Sequence, residues 1–120
     1  MKRADAICTA YAGATKPIVR PHSYAEVVDY VKQTLPLYEA ALRKLEELRP
    51  PSRDTAAVRR WLAADRRVAE AFRSLGEAGE RRDFPSVTEA VGRAELAGNE
   101  SRRAATALGL HVCAQLARTG

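Results

Sequence analysis

The sequence predicts an all-α protein: an up-down antiparallel four-helix bundle with a short first helix and a kinked second one. Three observations lead there. Apolar residues recur at three- and four-residue steps in four successive segments, the spacing of one helix face. No stretch alternates apolar and polar residues as a half-buried strand does. The connections between the last three segments are short and carry proline, which favours antiparallel neighbours. At 120 residues, 46% hydrophobic and 29% charged, the chain has the composition of a packed globular protein and the length of one domain, residues 1–120.

The first segment, "KRADAICTAYAGAT", places Ala4, Ile7, Tyr11 and Ala14 on one face. It ends by Thr15, because Pro17 and Pro21 follow and prolines cannot continue a helix. The second opens at "SYAE", where Ser23 and Glu26 have the spacing of a capping box. Its stripe runs through Tyr24, Val27, Val28, Val31, Leu35, Tyr38, Leu42, Leu45 and Leu48. Pro36 falls inside it and removes one backbone hydrogen bond, so a kink near Lys32 and Gln33 is expected rather than a break. The third segment follows "PPSRD", with Ser52 or Asp54 as cap, and carries Val58, Trp61, Leu62, Val68, Phe72 and Leu75 to about Arg82. The fourth opens at "SVTE", with Ser86 and Glu89 as a second capping box. It continues through Val91, Ala94, Ala97, Ser101, Ala104 and Leu108 to Gly109, a C-terminal cap. Its core face is small, so it can approach its neighbours closely. The predicted core is Val31, Leu35, Leu42, Leu45, Trp61 and Phe72.

Two cysteines stand near opposite ends of the chain, Cys8 in "DAICTAY" and Cys113 in "HVCAQ". In an antiparallel bundle the first and last helices are neighbours, and these cysteines lie at the ends that adjoin, which points to a disulfide between them. That pairing implies an oxidising compartment. Two buried free thiols in a cytosolic protein are the plain alternative, and a zinc site drawing in His22 and His111 is another. No Cys-x-x-Cys or Cys-x-x-Cys-His occurs, so thioredoxin-like redox chemistry and covalent haem attachment have no support.

The net charge is +5 and the pI about 9.6. Only Lys2, Lys16, Lys32 and Lys44 are lysines, and the excess of Arg and Ala reads as the coding bias of a GC-rich genome, which weakens the argument from charge to a nucleic-acid partner. The third helix nevertheless carries Arg59, Arg60, Arg66, Arg67 and Arg73 at near-heptad steps, a basic ridge that could meet phosphates or acidic headgroups. Asp65, Glu70, Glu77 and Glu80 share that helix, as on a solvated face with local ion pairs. No aromatic is interleaved on its polar face to stack bases. His22, Ser23 and Asp29 supply the names of a catalytic triad without its geometry, and Ser23 is better explained as a cap. Glu-x-x-His pairs of di-iron bundles are absent. No apolar run is long enough to cross a bilayer, and "MKRADAICTAYAG" lacks the apolar stretch of a signal peptide. The chain is therefore expected to be soluble as it stands, and to be a mature fragment if a leader preceded it.

Ile7-Cys8 in a first helix, "LEELRPP" closing a second and "ALGLHVC" near the end together resemble small exported helical-bundle proteins of GC-rich actinobacteria. The resemblance covers nearly the whole chain. That family has no assigned activity, so the resemblance implies the bundle fold, the cysteine pairing and export, and no chemistry. One departure is that "DAI" precedes Cys8 where a lipid-modified cysteine would follow an apolar run, which argues against lipidation there.

The sequence thus points to a non-enzymatic, exported bundle with a binding or structural role, an extracellular or cell-envelope location, no cofactor or metal, and a partner left unassigned, a protein or an acidic surface. The alternative is an intracellular basic bundle, cytoplasmic with free cysteines, that binds nucleic acid or another acidic partner through the five arginines of the third helix. A metal or haem carrier using His111 and the cysteines is a third class.

Overall fold

The computed structural model describes residues 2–119, and side-chain surroundings for residues 2–116. Within these the protein is all-α, with five helices: α1 (Lys2–Thr15), α2 (Tyr24–Glu46), α3 (Thr55–Glu80), α4 (Phe84–Ala107) and α5 (His111–Thr119). A single 3-10 turn, Ser52–Asp54, leads into α3. The fifth helix is an addition to the four read from the sequence.

Ion pairs give the helix directions. Lys32 lies 3.5 Å from Glu80, Glu39 lies 2.9 Å from Arg73, and Glu46 lies 2.7 Å from Arg66. Partner numbers fall along α3 as they rise along α2, so the two helices run antiparallel. The same holds for α3 and α4, joined by Asp65 with Ser101 and by Arg67 with Glu100 at one level and by Ala78 packed with Val87 and Ala90 at another. α1 lies against α2, where the rings of Tyr11 and Tyr38 meet edge-on with centroids 5.6 Å apart, and α5 bridges α4 and α1.

Local chemistry explains the element ends, and here the sequence reading needs correction. Ser23 does not cap α2 through its side chain. Its hydroxyl bonds the Glu26 carboxylate at 3.2 Å, so the two side chains satisfy each other rather than the free backbone amides. α2 stays helical across Pro36 and stops at Glu46, two residues before the end of its stripe. α4 starts at Phe84, not at Ser86. The Asp83 carboxylate accepts from the Ser86 amide at 3.3 Å and from its hydroxyl at 2.7 Å, which makes Asp83 the cap and pulls Pro85 into the first turn, where a missing N–H costs nothing. α3 and α4 both close with paired bonds of the Schellman type: Arg82 to Gly79 and Asp83 to Ala78, then Gly109 to Thr106 and Leu110 to Ala105. The left-handed residue is Gly109 (φ 74°) in one and Arg82 (φ 55°) in the other. The second turn does more than end α4. It buries Leu110 and starts α5, which carries Cys113.

The core divides in two. One cluster, at the disulfide end, joins Ala4 and Cys8 of α1, Leu42 and Leu45 of α2, Val58, Trp61 and Leu62 of α3, Ala105 of α4, and Leu110 and Cys113. The other, at the far end, joins Val31, Leu75, Ala78, Val87 and Ala90. Of the predicted core, Val31, Leu42, Leu45 and Trp61 are buried, while Leu35 and Phe72 are only partly so. On α2 it is Thr34 that occupies the seam near Leu35, and on α4 Val91 faces outward while Ala90 is buried. The helices approach closely at α2 and α3. A Cβ on Gly76 would lie 2.9 Å from Val31 Cγ1, and one on Gly79 would lie 2.9 Å from Val28 Cγ2.

Two substitutions test this packing. Leu42→Ala is expected to cost about 2 to 5 kcal/mol in denaturant unfolding, as buried leucine truncations do. Gly76→Ala raises helix propensity by about 1 kcal/mol but forces Val31 aside, and overpacking of about 1 to 3 kcal/mol is expected to win, leaving the variant less stable. An unchanged midpoint for the first, or a raised one for the second, would refute the packing.

Candidate functional site

Chemistry-bearing residues gather in three places: the disulfide, a polar layer between the two core clusters, and the arginines of α3. The sulfurs of Cys8 and Cys113 are 2.08 Å apart and the Cα atoms 5.3 Å, within disulfide geometry. Both residues are buried, and neither is a free thiol. Asp5, on the turn before Cys8, accepts from the Cys113 amide at 3.4 Å. A carboxylate borrowed from α1 therefore sits at the N-terminal turn of α5, where unpaired amides and the helix dipole favour negative charge. The disulfide occupies both sulfurs, leaving no thiolate for a metal. Among the described residues no three His, Cys, Asp or Glu side chains converge as a metal site, and His111 is exposed.

The polar layer is the feature that sequence reasoning missed. Asp65, assigned there to the solvated face, is buried (8% exposed). Ser101 of α4 donates to it at 2.5 Å, and the Tyr38 hydroxyl of α2 donates as well. Tyr11 of α1 packs edge-on against Tyr38, whose ring in turn meets Phe72. Four helices thus contribute to one buried polar level. Thr34, one turn from Tyr38, is buried in the same stretch of α2, and its hydroxyl has no partner among the described residues. Burial pushes the Asp65 carboxyl up to about 6 against the two hydrogen bonds that oppose the rise. Burial raises Tyr38 and Tyr11 as well, with the Asp65 charge adding to both, so both phenols remain protonated. A signal was present in the sequence: Asp65 stands four residues after Trp61 and three after Leu62, squarely on the apolar stripe.

The five arginines separate. Arg66 and Arg73 reach α2, pairing with Glu46 and Glu39, whereas Arg67 turns the other way to Glu100 on α4. Arg59 and Arg60 are exposed and make no ion pair among the described residues. His22, Ser23 and Asp29 are all exposed, and the Ser23 hydroxyl is engaged with Glu26. Among the described residues, two open surface depressions measure about 180 and 190 Å³. The first is lined by Glu77, Arg81, Ser86, Glu89 and Arg93 between α3 and α4, the second by Glu39, Arg43, Glu46, Arg66 and Glu70 between α2 and α3. No described helix is long and apolar enough to cross a membrane.

Comparison with known proteins finds no matching family model, no matching curated protein and no matching solved structure.

The buried carboxylate makes stability depend on pH in a stated direction. Its folded value lies above the ordinary 3.8, so folding holds the proton more tightly than the unfolded chain does. Its contribution is full below pH 4 and is lost as pH rises through 6, by about 3 kcal/mol for a shift of about two units. Asp65→Asn keeps an acceptor for both hydroxyls and cannot ionise. Unfolding midpoints between pH 4 and 7.5 are expected to fall for the wild type relative to the variant, and parallel curves would show that Asp65 is not buried as described.

Proposed function

We propose that the protein is a non-enzymatic helical-bundle module of the extracellular space or cell envelope, binding or structural in role, whose helices form an up-down bundle stapled by Cys8–Cys113. The disulfide carries this reading. Such bonds persist outside the reducing cytosol, and this one closes a loop of 105 residues, for which chain entropy gives about 4 to 5 kcal/mol. The likeness of the cysteine-bearing segments to small exported actinobacterial bundles supports the same placement. The non-enzymatic reading is supported by the arrangement of polar groups: Asp65 and Ser101, with Tyr38 beside them, are closed off inside the core, and the exposed Ser23 hydroxyl is engaged by Glu26.

The alternative, an intracellular bundle binding nucleic acid through α3, draws on Arg59 and Arg60 alone. Arg66, Arg67 and Arg73 are committed to carboxylates on two different neighbours.

Alkylation of intact cells under acid quench, followed by mass measurement of the protein, tests the proposal. Recovery of the oxidised form, unlabelled at both cysteines and outside the cytoplasm, is expected, whereas two labelled thiols in the cytoplasm would overturn it. In the purified protein, reduction is expected to lower the melting temperature by several degrees and to release α1 first, because α1 fully buries only Ala4 and Cys8. Unchanged melting would remove the staple as the element that holds α1.

A further inference from the structure

We propose that the disulfide end of the molecule is a docking face for the anionic headgroups of a lipid bilayer. The proposal rests on the reading of the protein as an extracytoplasmic binding module and names its partner surface. The net charge of +5 is not spread evenly. Residues 2–9, 43–67 and 100–116, which the core cluster at the disulfide end and its turns bring together, hold twelve Lys and Arg against six Asp and Glu. Residues 10–42 and 68–99, which make up the rest of the bundle, hold seven against nine.

Of the six acids at this end only Glu47 and Asp54 have side chains left without a partner among the described residues, while two of the twelve cations, Arg66 and Arg67, are used in pairs. Glu46 and Glu100 are held by Arg66 and Arg67, Asp5 by the amide of Cys113, and Asp65 is buried. By contrast Arg3, Arg49, Arg53, Arg59, Arg60 and Arg103 are exposed and form no ion pair among the described residues. Desolvating them against an anionic surface breaks no existing pair.

The arrangement favours a bilayer over a nucleic acid. These six arginines come from α1, the α2–α3 connection, the start of α3 and the end of α4. They therefore ring the end of a rod measuring 45 × 26 × 20 Å instead of lining one groove. Laterally mobile headgroups can gather under each charge, whereas the fixed phosphates of a duplex need a line or a groove of cations. Among the described residues no large exposed apolar side chain lies at this end, since Val19, Tyr24, Phe84, Val91 and Leu96 are all elsewhere. Bases have nothing to stack on, and the face adsorbs to headgroups without inserting. Adsorption of this kind is worth roughly a fivefold gain per charge and disappears when salt screens it.

The experiment is co-sedimentation of the oxidised full chain with phosphatidylcholine vesicles, with and without one-third phosphatidylglycerol, at low and high salt. Binding to the anionic vesicles alone, abolished by high salt, is expected. The combined variant Arg49→Gln, Arg59→Gln, Arg60→Gln is expected to bind at least tenfold more weakly with unchanged melting. The corresponding exchange of the same three arginines for lysine should retain binding, because the face reads charge and not guanidinium geometry. Lys32→Gln, Arg81→Gln and Arg93→Gln together, at the other end, should leave binding intact. Equal binding to neutral vesicles, equal loss in the two glutamine variants, loss in the lysine variant, or tighter binding to a DNA duplex than to anionic vesicles at the same salt would each overturn the proposal. Thiol trapping in cells reports on the extracytoplasmic reading separately, since it does not depend on vesicle binding.

Discussion

The covalent link between residues 8 and 113 makes one body of elements that could not hold their places alone. α1 has 14 residues and α5 has 9, lengths at which an isolated helix is marginal in water. α1 brings little apolar surface, burying Ala4 and Cys8 with Ile7 packed at the margin, and α5 adds only the partly buried Val112, Ala114 and Leu116 around Cys113. Yet these helices cover the upper core, where Trp61 and Leu110 are almost fully enclosed. The bond makes their mutual contact intramolecular at nearly zero separation, and Asp5 then completes the first turn of α5. Without it the upper core would lose two walls, and the ring of Tyr11 would leave the polar layer.

That layer explains why the bundle has one register. The apolar clusters on either side are built largely of Ala, Val and Leu, and a stripe of such residues tolerates a slide of one turn at modest cost. The Asp65 carboxylate does not. It is satisfied where Ser101 bonds it and the Tyr38 phenol lies beside it, and a slid helix would leave a buried charge without donors, an expensive arrangement. Ionisation at neutral pH costs stability at this position, and in return the polar contacts tie α2, α3 and α4 to one level, with Tyr11 of α1 packed edge-on against Tyr38.

Much of this was legible in the sequence, and the exceptions have physical causes. The 3.6-residue stripes marked a short first helix and three long ones, Pro17 ended α1 on time, and the end-to-end placement of the cysteines predicted their pairing. The route to that pairing differed: Cys113 reaches α1 on a separate fifth helix, because Gly109 ends α4 with a turn that sends the chain back toward α1. Nine residues carry too little periodicity to announce a helix. The start of α4 was misplaced because "DFPS" and "SVTE" are both plausible caps, and only the observed carboxylate-to-amide bond chooses between them. Asp65 was overlooked because its neighbours Arg66 and Arg67 suggested a solvated face, although its spacing from Trp61 placed it on the buried one. The arginine ridge failed as a unit because helical spacing says which residues share a face and nothing about the carboxylates opposite.

Those carboxylates account for where the charge ends up. α3 is the central helix, flanked by α2 and α4, and its seam of apolar residues leaves its arginines at the two margins. Along the margin facing α2, Arg73 meets Glu39 and Arg66 meets Glu46, the last residue of that helix. Two turns earlier on α3, Arg59 stands where α2 has already ended and the connecting residues supply Arg49 and Arg53. On the other margin Arg67 meets Glu100, while Arg60 lies toward the last turn of α4, which holds no acid. Antiparallel pairing therefore neutralises Arg66, Arg67 and Arg73 within the body of the bundle and leaves Arg49, Arg53, Arg59 and Arg60 at the disulfide end without an ion pair among the described residues. Because α1 and α5 are stapled to this same end, Lys2 and Arg3 join the unpaired set, and the fold converts a modest excess of arginine into a strongly one-sided distribution of charge.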